Sequence, residues 1–111
     1  MIELDDFARI DMRVGRITDA RPFPEARKPS YQLRIDFGPE LGHRVSSAQL
    51  TVTYPDPAAL IGRQVVAVVN FPPRRIAGFQ SEVLVLGAMV DTGGVHLLAP
   101  DPAAAEGLRI G

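Results

Sequence analysis

Basic and polar side chains gather around a proline-rich connection between residues 70 and 81. Asn70 precedes two consecutive prolines, Arg74 and Arg75 follow them, and Ser81 ends the segment. Guanidinium groups bind carboxylate and phosphate oxygens, and a residue that precedes proline keeps an extended backbone. The segment therefore predicts recognition of an acidic or extended ligand, and it offers little for bond-breaking chemistry.

The remaining residues that support catalysis or metal binding are scattered. His43 and His96 are isolated in the sequence, and the chain has no cysteine to complete a metal site. Ser46 and Ser47 lack the Gly-x-Ser-x-Gly pattern of a hydrolase, and Gly93-Gly94 is typical of a hairpin turn rather than a phosphate loop. We therefore expect a protein that is not an enzyme and that uses no metal and no cofactor.

Length and composition predict a single domain spanning residues 1–111. The chain is 46% hydrophobic, and no stretch reaches the ~18 apolar residues that cross a membrane. The acidic N-terminus, Met1 to Asp6, lacks the basic flank and apolar core of a signal peptide. We expect a cytoplasmic protein without membrane insertion.

Charge is distributed unevenly along the chain. The net charge is -1, yet residues 13–75 hold ten of the twelve basic residues and five of the thirteen acidic ones. This distribution fits an anionic partner at one surface, and it fits an ordinary solvated face of mixed charge equally well.

Two segments give the clearest strand signals. From Tyr31 to Phe37, every second residue is apolar, which directs Arg34 and its polar neighbours away from the core. From Val65 to Val69, every residue is apolar, which predicts a strand covered on both faces. A shift of the apolar phase at Gly15 predicts a β-bulge in the first strand.

The other predicted elements are short. They are a helix capped by Asp5, a first strand from Ile10, a loop over 21–29, a turn over 38–42, a strand from His43 to Leu50, a helical turn ending at Leu60, strands over 65–71 and 83–90, a loop between those two, a turn over 91–94, a strand from Val95 to Leu98, and a coil tail over 101–111. This pattern favours an all-β fold, a five-stranded Greek-key OB-fold barrel with short helical segments. An SH3-like barrel or a small sandwich remains open from the pattern alone.

Particular residues add a family resemblance. The segment Asn70-Phe71-x-Pro73-Arg74-x-Ile76-x-Gly78-x-x-Ser81 resembles the signature of the tRNA-binding OB domain. A free-standing branch of that family, the CsaA-type export-related chaperones, is more similar. Its likeness includes Asp5-Asp6-Phe7, Phe23-Pro24-Glu25-Ala26-Arg27, Ile35-Asp36-Phe37-Gly38, Ser46-Ser47-Ala48-Gln49 and the run from Ser81 to Gly87.

The resemblance implies a cytoplasmic homodimer of OB folds that binds unfolded or presecretory polypeptides in connection with the export machinery. The alternative that it implies is a tRNA-binding module. Val83 and Leu84 stand where the wider family usually carries a glycine-methionine pair, as they do in the chaperone branch. This departure argues against tRNA as the ligand and leaves the fold unchanged.

Two sets of candidate binding residues follow. The polypeptide-binding candidates combine apolar groups with a basic rim: Phe71, Arg74, Ile76 and Phe79. The RNA-binding candidates pair basic groups with polar ones: Arg34, Arg44, Arg74 and Arg75 for phosphates, and Ser47, Gln49, Asn70 and Ser81 for sugar or base. Each set has a structural alternative. The apolar groups would then cover a dimer interface or a barrel end, and Asn70 and Ser81 would bond to turn backbone groups.

Overall fold

Twelve short elements make up the chain, and the computed structural model describes all of residues 1–111. They are α1 (Leu4–Ala8), β1 (Met12–Pro22), β2 (Tyr31–Asp36), α2 (Gly38–Leu41), β3 (His43–Ala48), a 3-10 helix (Pro57–Leu60), β4 (Gln64–Val68), β5 (Arg74–Ile76), β6 (Phe79–Ser81), β7 (Leu84–Val85), β8 (Gly87–Met89) and β9 (Val95–Leu97). The helices are too short for any of them to span a membrane.

Five strands form an antiparallel sheet in the order β3-β2-β1-β4-β7. The two outer strands approach each other where the chain passes from β6 to β7. There, the Glu82 N–H donates to the Val45 carbonyl oxygen at 2.9 Å, and the Ser46 hydroxyl donates to the Val83 carbonyl oxygen at 2.8 Å. The sheet is therefore a nearly closed barrel, which confirms the predicted OB-type fold.

The core lies inside this barrel. Its ten residues come from six segments of the chain: Ile17, Tyr31, Leu33, Ile35, Phe37, Leu50, Leu60, Val65, Ala67 and Val83. In β2, buried and outward residues alternate, and all five residues of β4 are buried. Both patterns agree with the periodicity of the sequence, because one face of β2 meets solvent whereas β4 is covered on both faces.

Gly15 leaves room inside the barrel for side chains from β2 and from the residue that follows it. A Cβ atom on this residue would lie 2.5 Å from Cγ2 of Ile35 and 2.7 Å from the ring of Phe37. The first strand does contain a register shift of the kind that a β-bulge produces, but the shift lies between Ile17 and Asp19, so the predicted position at Gly15 is wrong. The break in apolar phase at Gly15 arises because neighbouring side chains fill the space where its own would be.

The N-terminal helix begins two residues earlier than the sequence predicts. Glu3 is the N-cap, and its N–H donates to Oδ2 of Asp6 at 2.9 Å. Asp5 is therefore not the cap. Asp6 occupies the third helical position, from which a carboxylate reaches back to the N-cap amide.

The connection predicted as a loop is a hairpin. Arg74, Arg75 and Ile76 pair with Ser81, Gln80 and Phe79. Its two-residue turn has positive φ at both positions, 45° at Ala77 and 83° at Gly78, which matches the right-handed twist of paired strands. The prolines end the ladder of β4, and pairing resumes immediately after them.

The predicted strand over 83–90 divides into β7 and β8 because the chain changes partner. Val85 pairs with Ala67 of β4, whereas Gly87 pairs with Leu97 of β9. A Cβ at Gly87 would overlap Cγ1 of Val95, so this second pairing favours glycine there.

The C-terminal tail, predicted as a coil whose Leu108 and Ile110 could dock on the rest of the protein, lies along β1. The N–H of Val14 donates to the Leu108 carbonyl oxygen at 2.9 Å, and the N–H of Ile110 donates to the Met12 carbonyl oxygen at 2.9 Å. Pairing with β2 starts only at Arg16, which leaves this part of the β1 edge free for the tail. Nε of Arg16 also donates to Oε1 of Glu106 at 2.6 Å, and this hydrogen bond lowers the pKa of Glu106 below its ordinary value.

Replacing Gly15 with alanine is expected to lower the free energy of unfolding by about 1–3 kcal/mol, because the added methyl group overlaps Ile35 and Phe37. Chemical denaturation followed by circular dichroism measures the change. Gly111→Ala is the matched control, since a Cβ there meets nothing within 4 Å. Equal stability of the two variants would contradict the packing described for Gly15.

Acidification is expected to weaken the attachment of the tail. The folded-state pKa of Glu106 is lowered, so its contribution to stability is present above the ordinary pKa and is lost as the pH falls through the lowered value. Thermal unfolding of the wild type and of Glu106→Gln, followed from pH 7 to pH 2, measures the stability that the Glu106 carboxylate contributes at each pH. The wild type should be the more stable protein at pH 7, by no more than about 1 kcal/mol, and the difference should disappear at the acidic end. A pH-independent difference would show that the carboxylate charge is not involved.

Candidate ligand-binding face

The outward residues of β2 lie in rows with those of its neighbours. Arg34 sits opposite Asp19 of β1 and opposite Val45 of β3. In the next row, Gln32 sits opposite Arg21 and Ser47 in the same way, so a mixed polar and apolar surface covers three adjacent strands.

The β5–β6 hairpin extends this surface beyond β3. The Ser47 N–H donates to the Ser81 hydroxyl at 2.9 Å, and Ser81 pairs with Arg74. The Val45 N–H donates to Oε1 of Glu82 at 3.0 Å. Because these bonds join the end of β6 to β3, the outer surface continues from β1 to the hairpin.

A shallow groove of about 170 Å³ lies on this surface, and we call it the outer-face groove. It is lined by Asp19, Arg21, Gln32, Leu33, Arg34, Val45 and Phe79. Phe79 is half-buried and packs edge-on against the buried ring of Phe23, with the ring centroids 5.4 Å apart. The packing holds an apolar wall beside charged side chains, an arrangement suited to an extended amphipathic ligand.

Charges in the groove are only partly paired. Asp19 and Arg21 form an ion pair at 2.8 Å. Arg34 is exposed and takes part in none of the three ion pairs of the chain. The groove therefore offers one guanidinium group to an incoming anion.

Three of the polypeptide-binding candidates share one face of the hairpin, and the fourth lies elsewhere. Arg74, Ile76 and Phe79 fall on the same side by the alternation of paired strands. Phe71 instead lines a separate hollow of about 360 Å³ together with Asp6, Arg9, Ile10 and Asn70. The structure does not bring Phe71 and Phe79 into one pocket.

The RNA-binding candidates also divide between faces. Arg75 lies on the side of the hairpin opposite Arg74. Arg44 pairs with the buried Ile35, so it is directed away from the outer face, and its Nε donates to the Leu41 carbonyl oxygen at 3.3 Å. Ser47 lies on the outer face, and Gln49 is exposed just beyond β3.

Asn70 and Ser81 are bonded to the backbone. Oδ1 of Asn70 accepts from the Asp11 N–H at 2.9 Å, and its Nδ2 donates to the Arg9 carbonyl oxygen at 2.8 Å. Ser81 is buried, and its hydroxyl accepts from the Ser47 N–H. These contacts are of the kind that the structural alternative anticipated, and a role of either side chain toward RNA remains a prediction.

Sequence reasoning missed several residues of the groove. Gln32 had a signal, because it shares its face of β2 with Arg34. Asp19, Arg21 and Val45 enter through the register of β1 and β3, which no local pattern specifies. The described residues contain no cluster of three His, Cys, Asp or Glu side chains placed to hold a metal ion.

Comparison with known proteins identifies the family of the chain. The family described as "Putative tRNA binding domain" matches residues 12–109. The crystal structure of the chaperone CsaA from Bacillus anthracis str. Ames is 52% identical, with a TM-score of 0.94, and the match covers 100% of this chain and 99% of that one. The CsaA chaperone protein from Picrophilus torridus is 49% identical, with a TM-score of 0.92 and full coverage of both chains.

An aminoacyl-tRNA ligase is also similar to the chain. The methionine–tRNA ligase of Nitrosomonas eutropha is 42% identical over 109 residues, which cover 98% of this chain. The chain spans only 15% of the length of that ligase, so the likeness concerns one domain of it. The shared domain is a tRNA-binding or chaperone-like one rather than a catalytic one. The chain therefore belongs to the tRNA-binding domain family and is a CsaA-type member of it.

Proposed function

We propose that the protein is an export-related molecular chaperone, a cytoplasmic homodimer that binds unfolded or presecretory polypeptides. The observation that carries the proposal is the outer-face groove, where the half-buried Phe79 and Val45 stand beside the unpaired Arg34. Likeness to CsaA chaperones over the whole chain, at about 50% identity, supports the same function.

Binding in such a groove is passive. An extended segment of the client lays apolar side chains against Phe79 and Val45 and keeps its backbone toward solvent. Arg74 and Ile76 lie on the same side of the hairpin as Phe79 and are proposed to lengthen the contact. Each groove covers few residues, so its affinity is low and release needs no energy source.

Self-association strengthens this kind of binding. Leu4 and Phe7 of α1 and Leu108 of the tail are exposed apolar side chains, which supports a role for the termini in the dimer. Two grooves on one dimer favour long unfolded chains, because the second contact then forms within an existing complex. The hollow beside Phe71 is a further proposed contact for apolar client side chains.

Replacing Phe79 with serine is expected to weaken binding of a permanently unfolded protein, reduced and carboxymethylated α-lactalbumin, by about tenfold, through loss of buried aromatic surface. Phe79→Leu, which keeps an apolar side chain, should retain most of the affinity. Fluorescence anisotropy measures both, and circular dichroism verifies folding. Light scattering measures the oligomeric state of each variant. If the wild type is a dimer and Phe79→Ser is a monomer, Phe79 belongs to the subunit interface instead.

The alternative function is that of a tRNA-binding module. The family match and the likeness to methionine–tRNA ligase favour it, and Arg34, Arg74 and Arg75 are exposed on the surface. The outer face of an OB barrel also accommodates nucleic acid in other proteins of this architecture.

The tRNA alternative makes a prediction about salt. Replacing Arg74 and Arg75 together with alanine should lower the affinity for bulk tRNA and reduce the slope of log affinity against log salt by about 2, because two phosphate contacts are lost. Arg63→Ala, a change of an exposed arginine outside the β5–β6 hairpin, is the control. No detectable binding of tRNA by the wild type at physiological salt would remove the alternative.

A further inference from the structure

We propose that the outer-face groove selects client segments in which a carboxylate lies two residues from an aromatic or large aliphatic side chain. Arg34 binds the carboxylate, and Phe79 with Val45 contacts the apolar side chain. The inference rests on the proposed chaperone function and adds to it a rule for which segments are bound.

Arg34 is the arginine of the groove whose guanidinium group forms no ion pair within the protein. The neighbouring arginine, Arg21, is engaged by Asp19 at 2.8 Å, whereas Arg34 has no ion-pair partner. A guanidinium group forms paired hydrogen bonds with a carboxylate. A client carboxylate can therefore bind Arg34 without displacing an existing partner.

The spacing follows from the alternation of side chains in an extended client that enters the groove. Arg34 and Val45 sit opposite each other on adjacent strands, where Cα atoms are about 4.5–5.5 Å apart, and Phe79 lines the same groove. An extended client alternates its side chains between two faces, so residues two apart enter the same groove, about 6.6–6.8 Å from each other. Adjacent residues point to opposite sides and cannot both enter.

The charges of the groove favour a polypeptide over RNA as its occupant. RNA presents a row of phosphates, which needs several cations in line. The groove has one unpaired arginine and also contains the carboxylate of Asp19. Arg44, which would extend the row along β3, is directed away from the outer face.

The experiment uses the full chain and three fluorescently labelled peptides that differ only around a central phenylalanine. The first contains Ser-Gly-Phe-Thr-Asp-Gly-Ser, the second replaces its aspartate with asparagine, and the third moves the aspartate next to the phenylalanine. Anisotropy is measured at physiological salt. The first peptide should bind about threefold to tenfold more tightly than the other two, the range expected for one charge-assisted contact at an exposed site.

Variants of the protein test whether Arg34 causes this selectivity. Arg34→Gln should make the first peptide bind no better than the second, since the cation that reads the carboxylate is gone. Arg63→Gln removes the same charge from a residue that does not line the groove, and it should keep the preference. Selectivity that survives Arg34→Gln, or is lost equally in both variants, would overturn the assignment.

The remaining outcomes separate this inference from the function on which it rests. Equal binding of all three peptides would overturn the selection rule and leave the chaperone function intact. Failure of every peptide and of unfolded α-lactalbumin to bind would overturn both. If, in addition, Arg34→Gln weakens binding of a short single-stranded RNA, the groove belongs to nucleic acid.

Discussion

The alternation of side chains in β2 is the constraint on which the rest of the structure depends. Leu33 and Ile35 are buried in the barrel, and Arg34 between them is exposed. Each buried aliphatic side chain contributes about 1.5–3 kcal/mol through loss of contact with water. A slip of one residue would bury Arg34 and expose its neighbours, so the packing of the core determines which way the candidate binding residue points.

The groove requires that this central strand be joined to distant parts of the chain. The hydrogen bonds of Ser47 with Ser81 and of Val45 with Glu82 attach the hairpin to β3 across more than thirty residues of sequence. Phe23 then supports Phe79 from behind. The apolar wall of the candidate surface is therefore packed on the barrel.

Predictions from the sequence succeeded where a local pattern had one physical explanation. The alternation of β2 and the unbroken apolar run of β4 were interpreted correctly, because burial on one face or on both leaves a direct mark on residue type. The break at Gly15 predicted a bulge, but a close approach of other side chains leaves the same break in the pattern. Only the positions of Ile35 and Phe37 distinguish them.

The sequence by itself determined the fold class, the family and the outward direction of Arg34, because periodicity and motif residues are local properties of the chain. The tertiary structure decided which residues share the groove, that Phe71 and Arg44 lie apart from it, and that the tail pairs with β1. Those outcomes depend on strand register and on free sheet edges. Both arise from contacts between residues far apart in sequence, which leave no mark on the pattern of either partner alone.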